Sequence, residues 1–151
     1  MLKAGDIAEE FTAFDQKGEQ VTLSGLLEHG PVVLFFYPKA MTTGCTKESC
    51  HFRDLGAEFA ELGAQRVGIS ADKVDKQAAF DELHGLGYPL LSDPDRVVAS
   101  AFGVKRPGPI MNKRATFVID TDRKVLAAIS SELNMDMHAD EALDVLRAAR
   151  A

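Results

Sequence analysis

Two cysteines, Cys45 and Cys50, are the residues of this chain best suited to redox chemistry. They are the chain's only cysteines and stand five positions apart. In a reducing compartment a permanent structural bridge is not expected, so the thiols are either inert packing residues or working groups. Free cysteines are among the most buried residue types and often serve only to pack. The surrounding residues must therefore decide between the two interpretations.

The segment around Cys45 favours a reactive thiol. An apolar, strand-like run over 31–37 ends at Pro38, and the helical pattern that follows places Cys45 in the first turn of a helix. Free backbone N–H groups and the positive end of the helix dipole stabilise a thiolate at such a position. Gly44 is expected to keep the approach to the sulfur open, and the Thr42 hydroxyl can donate to a sulfur or oxygen beside it. The alternative is that Cys45 packs under the strand.

Helical spacing predicts that Glu48 points inward. Apolar residues at helical spacing form one buried stripe: Phe52, Leu55, Phe59 and Leu62. At 100° per residue Glu48 falls roughly 40° from Phe52 and Cys45 roughly 20° from it. A charged carboxylate near the centre of a buried stripe needs a cationic partner, such as an arginine. The alternative is that the helix begins later and that Glu48 only caps it.

Cys50 lies on a different side of the same predicted helix. It falls roughly 160° from Phe52, towards the exposed side. In an intact helix the Cα atoms of residues five apart are roughly 8.6 Å apart, whereas a disulfide tolerates at most about 7 Å. Cys45 and Cys50 can therefore bond only if this stretch unwinds. Such a pair is poorly suited to a permanent structural disulfide but well suited to switching between reduced and oxidised states.

The elements that position this segment follow from the hydrophobic pattern. It predicts strands over 11–14, 20–23, 31–37, 67–69, 88–91, 115–119 and 124–129. It predicts helices over 43–62, 72–86 and 140–149, with Phe80 and Leu83 inward in the second. Ser24 is expected to cap a short helix, and Ser92-Asp-Pro-Asp95 to open one that Gly103 closes. Residues 104–113 are expected to form an irregular loop. Strands alternating with helices indicate a three-layer α/β sandwich, whose sites usually lie at the carboxyl ends of central strands.

Length and charge narrow the class of protein. The 151 residues fit one domain spanning 1–151, with 46% hydrophobic and 26% charged content. Seventeen basic and 23 acidic side chains give a net charge of −6, which argues against a general binder of nucleic acid or anionic membranes. The beginning of the chain lacks the apolar stretch of a secretory signal, so the protein is expected in the cytoplasm.

The segment that carries the cysteines resembles the active site of peroxiredoxins. Pro38, Thr42 and Cys45 match the pattern Pro-x-x-x-Thr-x-x-Cys. The continuation to Cys50 is similar to the bacterioferritin-comigratory (PrxQ) subfamily, of the atypical 2-Cys type. Further matching residues are Gly5-Asp6, Phe11, Phe52-Arg53-Asp54, Asp93-Pro94 and the run from Arg114 to Asp120. The resemblance covers nearly the whole chain.

This resemblance implies a thioredoxin-like fold with a central mixed sheet and an N-terminal hairpin. It implies a peroxidase that reduces hydrogen peroxide and organic hydroperoxides, with Cys45 as the peroxidatic cysteine and Cys50 as the resolving one. It also implies Arg114 as the active-site arginine and thioredoxin or a similar dithiol as the reductant. Pro38, Gly44 and Glu48 are expected to support the substrate pocket. No cofactor or metal is expected, and the chain is expected to be a monomer or a weak homodimer.

The chain departs from the family pattern at three positions beside the cysteine. Thr43 replaces a proline that is common in the subfamily, which is expected to loosen the loop without removing a catalytic group. Ala40 and Met41 stand where more polar residues are usual, and this is expected to alter peroxide preference.

Two rival functions are weaker. A thiol–disulfide oxidoreductase on the same fold normally has Cys-x-x-Cys, whereas this chain has Cys-x₄-Cys. A metal site built from Cys45, Cys50 and His51 has at most three ligands, and Cys50 is predicted to point away from Cys45.

The remaining chemistry-bearing residues are assigned ordinary roles. The four histidines, at 29, 51, 84 and 138, are expected to be surface or helix-end residues. Lys105, Arg106 and Lys113 are expected to form a solvated loop that could also help dock an acidic reductant.

Overall fold

A computed structural model of the chain describes residues 1–150, which form seven strands and six helices. The strands are β1 (Thr12–Phe14), β2 (Gln20–Thr22), β3 (Val32–Phe36), β4 (Gln65–Ser70), β5 (Leu90–Ser92), β6 (Ala115–Ile119) and β7 (Val125–Ser130). The helices are α1 (Leu23–Leu27), α2 (Thr43–Asp54), α3 (Gly56–Glu61), α4 (Val74–His84), α5 (Val97–Phe102) and α6 (Met135–Arg150). In this part of the chain, no helix is both long and apolar enough to cross a membrane.

All seven strands join one mixed sheet in the order β2-β1-β5-β4-β3-β6-β7. β3 lies parallel to β4 and antiparallel to β6, while β4 and β5 are parallel. The two hairpins, β1–β2 and β6–β7, are antiparallel, as predicted. All five residues of β3 are buried, which confirms the prediction of a central strand from its continuous apolar run.

The sheet separates two hydrophobic clusters, and the side chains of β3 alternate between them. Val32, Leu34 and Phe36 pack with residues of α1 and α5 on one face. Val33 and Phe35 pack with residues of α2, α3, α4 and α6 on the other face. Because helices cover both faces, the architecture is the predicted three-layer α/β sandwich.

Two predictions about the helices were wrong. The helix expected over 43–62 is divided at Leu55, which joins α2 to α3 with backbone angles outside the helical range. Leu83 was expected to point inward but is 67% exposed. Gln77 is buried in this helix instead, and its amide donates to Ser70 Oγ (3.0 Å) and to the Leu91 carbonyl (2.8 Å). A polar residue that is fully hydrogen-bonded inside cannot be recognised from hydrophobic spacing alone.

The helix starts also differ from the predicted ones. Thr22, not Ser24, caps α1, because its hydroxyl accepts from Gly25 N (3.1 Å). At α5 the capping carboxylate is that of Asp93 rather than a group of Ser92. The last helix begins at Met135 and not at residue 140, with the Asn134 side chain accepting from Met137 N (3.2 Å). Residues 104–113 form the predicted irregular loop.

Candidate active site

Cys45 lies where the central strand gives way to a helix. β3 ends at Phe36, and Cys45 is the third residue of α2. The first intrahelical hydrogen bond runs from Thr46 N to the Thr42 carbonyl (2.9 Å), so the Cys45 N–H lies ahead of the helical ladder. The predicted position in the first helical turn is confirmed.

The loop between strand and helix, residues 38–42, is held in an uncommon conformation. Met41 has φ of 70°, in the left-handed region that bulky side chains rarely adopt. The loop is fastened by Ala40 N, which donates to Asp72 Oδ2 (2.7 Å). The exposed Thr42 directs its hydroxyl to the Lys39 carbonyl (2.8 Å) rather than to the sulfur. Pro38 is half-buried at the start of the loop.

A guanidinium group contacts the sulfur directly. Arg114 Nη2 donates to Cys45 Sγ at 3.2 Å, and Arg114 Nη1 donates to Glu48 Oε1 at 2.7 Å. Arg114 precedes β6, whose first residue, Ala115, pairs with Phe36 at the end of β3. This register brings the arginine to the strand end from which the cysteine loop departs. Glu48 is fully buried and has the cationic partner that its predicted inward position required.

Burial and charge act against each other in this pair. Burial raises the pKa of Glu48 to about 8, although the Arg114 guanidinium lowers it in opposition. Desolvation alone would lower the pKa of Arg114, but the neighbouring Glu48 and Cys45 together raise it. Arg114 therefore stays protonated, while Glu48 can hold a proton near neutral pH.

His138 also belongs to this site, contrary to its expected surface position. It is fully buried on α6, with Nδ1 2.8 Å from Thr116 Oγ1 and 3.6 Å from Glu48 Oε2. Its Nε2 lies 2.8 Å from the Ser131 carbonyl. Burial lowers the pKa of His138, against the opposing effect of the Ser131 hydrogen bond. The prediction failed because α6 begins earlier than expected and so carries His138 under the sheet.

An acidic residue fixes the backbone of Arg114. Both carboxylate oxygens of Glu132 accept from Arg114 N, each at 3.2 Å, and the same carboxylate accepts from the Arg106 side chain. Arg106 is therefore tied to the site by an ion pair, although it lies in the solvated loop that was expected. No sequence pattern indicated Glu132, because it lies in the irregular segment between β7 and α6.

Gly44 makes room for the guanidinium, not for an open approach to the sulfur. A Cβ atom at Gly44 would lie 3.3 Å from Arg114 Nη2 and 3.4 Å from Met135 Cε. The Cys45 side chain has 0% exposure and packs in the hydrophobic cluster beneath α2. The sulfur is thus enclosed, but the enclosure includes a charged donor at hydrogen-bond distance.

Cys50 lies in the same intact helix as Cys45, and both are free thiols. Cys50 is half-buried, so it reaches less far towards solvent than its angle on the helix suggested. Two side chains anchor α2 on either side of it. Tyr88 OH donates to the Ser49 carbonyl (2.7 Å), and His51 Nε2 lies 2.8 Å from Asp140 Oδ1. Among residues 1–150 no group of three or more His, Cys, Asp or Glu side chains is arranged to hold a metal ion.

Comparison with known proteins identifies the family. The model of the AhpC/TSA family matches residues 4–128. The chain belongs to this family of peroxiredoxins. Peroxiredoxin Bcp of Escherichia coli strain K12 is 40% identical over 152 residues, covering 97% of this chain and 96% of the relative. The match extends beyond the cysteine segment to nearly the whole chain.

Solved structures agree with this assignment. The crystal structure of peroxidoxin BcpB from Mycobacterium tuberculosis is similar, with a TM-score of 0.97, 60% identity and complete coverage of both chains. The bacterioferritin comigratory protein of Xanthomonas campestris, whose structures concern its alkyl peroxide reduction activity, has a TM-score of 0.87 and 30% identity. That match covers 93% of this chain and 92% of the other. These peroxiredoxins confirm the expected subfamily and the thioredoxin-like fold, and as a member of the family the chain is a peroxidase.

Proposed function

We propose that the chain reduces hydrogen peroxide and organic hydroperoxides through a Cys45 sulfenic acid, which Cys50 then resolves as an intrachain disulfide. The observation that carries this proposal is the hydrogen bond of 3.2 Å from Arg114 to Cys45 Sγ in the first turn of α2. A guanidinium and a helix N-terminus together favour a thiolate, which is the nucleophilic form of cysteine.

In the first step the Cys45 thiolate attacks one peroxide oxygen, forming the sulfenic acid and expelling hydroxide or an alkoxide that takes up a proton. In this proposal Arg114 and the Cys45 N–H donate to the peroxide oxygens and stabilise the charge that develops on the leaving one, which is supported by the contact of Arg114 with the sulfur and by the free N–H at the helix start. Thr42 joins them if its hydroxyl turns away from Lys39. Because the sulfur has 0% exposure, peroxide entry requires a small movement of the side chains that cover it.

Positioned donors must supply most of the rate. Lowering a thiol pKa from about 8.5 to about 6 increases the thiolate fraction at neutral pH only roughly thirtyfold. The lower basicity also reduces the intrinsic nucleophilicity of the thiolate. The guanidinium of Arg114 is held by Glu48 at one nitrogen, and the backbone N–H of Arg114 is held by Glu132. This fixed position supports such a role.

In the second step α2 unwinds at its beginning and the Cys50 thiol condenses with the sulfenic acid: the S–S bond forms, the S–O bond breaks and water leaves. The two cysteines are five positions apart in a regular helix, which keeps their Cα atoms roughly 8.6 Å apart. A disulfide tolerates at most about 7 Å. A dithiol reductant, thioredoxin or a similar protein, then returns both thiols. Pro38, Gly44 and Glu48 support this site by shaping the loop, making room for Arg114 and holding the guanidinium.

Three features of the proposal rest on the sequence and the relatives. Activity on organic hydroperoxides is supported by the alkyl peroxide reduction activity of the Xanthomonas campestris relative. The matches over nearly the whole chain support one domain spanning residues 1–151. A monomeric or weakly dimeric state and a cytoplasmic location stay predictions.

Single-turnover kinetics test the proposal. Cys45→Ser should abolish peroxide consumption, because it removes the nucleophile. Cys50→Ser should allow one rapid turnover and then stall at the sulfenic acid until an external thiol is added. Sustained thioredoxin-driven turnover by the Cys50 variant would remove the resolving role, and residual peroxide reduction by the Cys45 variant would remove the peroxidatic one.

A further inference from the structure

His138 is a fully buried titratable residue that the proposed steps do not use. It is in contact with Thr116 and lies 3.6 Å from Oε2 of Glu48, the partner of the arginine that contacts the sulfur. Cys45, Glu48, Arg114 and His138 form a continuous group from α2, α6 and the residue that precedes β6, which we call the buried cluster.

The contacts of His138 determine which nitrogen can exchange a proton. The Ser131 carbonyl only accepts, so the Nε2–H donates to it at 2.8 Å and remains protonated. Nδ1 is therefore the nitrogen that gains or loses a proton. The Thr116 hydroxyl, 2.8 Å away, can accept from the protonated ring or donate to the neutral one, and it gives up the second role when Glu48 donates to the same lone pair. Both protonation states are accommodated at this position.

Glu48 presents an unsatisfied oxygen to the same nitrogen. Its Oε1 accepts from Arg114, whereas Oε2 has no hydrogen-bond partner within residues 1–150. A buried carboxylate oxygen without a partner is unfavourable. A proton placed between Oε2 and Nδ1 of His138, now 3.6 Å apart, would convert this gap into a hydrogen bond after a small approach.

The charges of the buried cluster show what such a proton does once Cys45 is ionised. With Cys45 as a thiolate, the positive Arg114 and a negative Glu48 would leave one negative charge in excess in the interior. One proton on Glu48 or His138 restores neutrality. Burial raises the pKa of Glu48 and lowers that of His138, so the carboxyl is the stronger holder of this proton.

We propose that His138 is a positioning residue for Glu48, the carboxylate that holds Arg114, and that the two together hold one proton whenever Cys45 is ionised. This inference rests on the proposed function, because it assigns the proton that the peroxidatic step moves. The other charged group near the ring is Glu132, which precedes α6 and is bound to Arg106 and to Arg114 N. Its partners are already in place, so it leaves the proton to Glu48 and His138.

The origin and destination of each proton in the first step then follow. At the start of the step Cys45 is the thiolate and the Glu48–His138 pair holds one proton. The thiolate sulfur bonds to one peroxide oxygen, the O–O bond breaks, and the electron pair leaves with the alkoxide. The sulfenic acid is neutral, so the pair releases its proton, which neutralises the alkoxide to an alcohol.

Titration of the Cys45 thiolate tests this inference. The Cys50→Ser protein, kept reduced, is titrated by the ultraviolet absorbance of its single remaining thiolate. His138→Gln keeps a donor for Ser131 but leaves the position of Nδ1 empty, so the protonated Glu48 loses its acceptor. The pH at which half of Cys45 is ionised, the thiolate midpoint, should rise, so that the fraction of thiolate at a given low pH falls roughly tenfold. A change of this size is expected from the loss of one buried hydrogen bond. The pH profile of peroxide oxidation should shift with it.

Glu48→Gln should have the opposite effect, because it removes the negative charge that the proton balances. The thiolate midpoint should fall, and adding His138→Gln in that background should cause no further shift. His51→Gln is the matched control, since His51 also joins α2 to α6 but outside the buried cluster. It should leave the midpoint unchanged.

Equal shifts from His138→Gln with and without Glu48→Gln, or no shift at all, would overturn the inference. Thermal unfolding checks that the variants are folded, and His138→Asn replaces His138→Gln if the latter is not. Failure of the proposed function is distinguishable, because the protein with native His138 would then fail to reduce peroxide whatever the titrations show.

Discussion

The Tyr88 hydroxyl is predicted to slow disulfide formation by holding α2 in its helical form. It donates to the Ser49 carbonyl at 2.7 Å in a buried contact between the two cysteines. The first part of α2 must unwind before Cys45 and Cys50 can meet, so this hydrogen bond must break first. Tyr88→Phe removes it but keeps the ring that packs edge-on against Phe35. The variant should therefore reach the unwound state more readily.

The size of the effect follows from the strength of one buried hydrogen bond. Its net contribution to the helical state is about 1 kcal/mol, which corresponds to a roughly fivefold larger unwound population when it is removed. The Ser49 carbonyl loses only this side-chain donor and stays within the helix. The rate of disulfide formation should rise roughly fivefold, while the rate of Cys45 oxidation should not change.

Rapid quenching with mass spectrometry separates the two steps. Reduced protein receives one equivalent of hydrogen peroxide, and the sulfenic acid and disulfide forms are followed in time. Tyr37→Phe is the matched control, because the other tyrosine is also buried but donates to Gln77 on α4 rather than to α2. An unchanged or slower disulfide step in the Tyr88 variant would refute the reasoning that unwinding of α2 limits resolution.

Three further substitutions probe the site from different sides. Arg114→Lys should slow Cys45 oxidation by roughly 10²–10³ in stopped-flow assays, because one ammonium cannot contact the sulfur and Glu48 as the guanidinium does. Glu48→Gln should become more stable relative to the unmodified protein as pH rises from 5 to 8, by roughly 1.4 kcal/mol per unit in urea unfolding under reducing conditions. Gly44→Ala should slow oxidation roughly tenfold without loss of stability in thermal unfolding, because its Cβ crowds the guanidinium while alanine favours the helix.

The sign of the Glu48 prediction follows from its raised pKa. An unfolded glutamate titrates near 4.3, whereas burial raises the pKa of folded Glu48 to about 8. The buried carboxyl therefore does not lower the free energy of unfolding below about pH 4, and it lowers it increasingly as pH rises to 8. A stability difference between the two proteins that does not change with pH would contradict this prediction. Oxidation of the Arg114→Lys protein at the normal rate would contradict the prediction for that variant.

The sequence predicted the parts of the site that depend on local pattern. The change from an apolar run to helical spacing placed Cys45 at a helix start, and the angle between Glu48 and Phe52 placed the carboxylate inside. It also required some arginine nearby. The identity of Arg114 came from the family resemblance, because the register between β3 and β6 joins distant parts of the chain that no local pattern connects.

The residues that were missed depend on irregular or polar features. His138 was placed at the surface because the start of α6 was predicted too late, although Asn134 offered a capping signal. Glu132 acts from a segment without periodicity. Gln77 is buried in α4, whereas Leu83, which hydrophobic spacing assigned to the core, is exposed. In each case a hydrogen bond formed in the folded chain, rather than hydrophobicity, fixes the position of the side chain.

The central claim is that Arg114 and the start of α2 activate Cys45 by position as well as by ionisation. Stopped-flow oxidation of the reduced protein by hydrogen peroxide, compared with free cysteine at the same neutral pH, tests it most directly. The account predicts an acceleration far above the roughly thirtyfold that a larger thiolate fraction can provide. A rate within that thirtyfold range would contradict it.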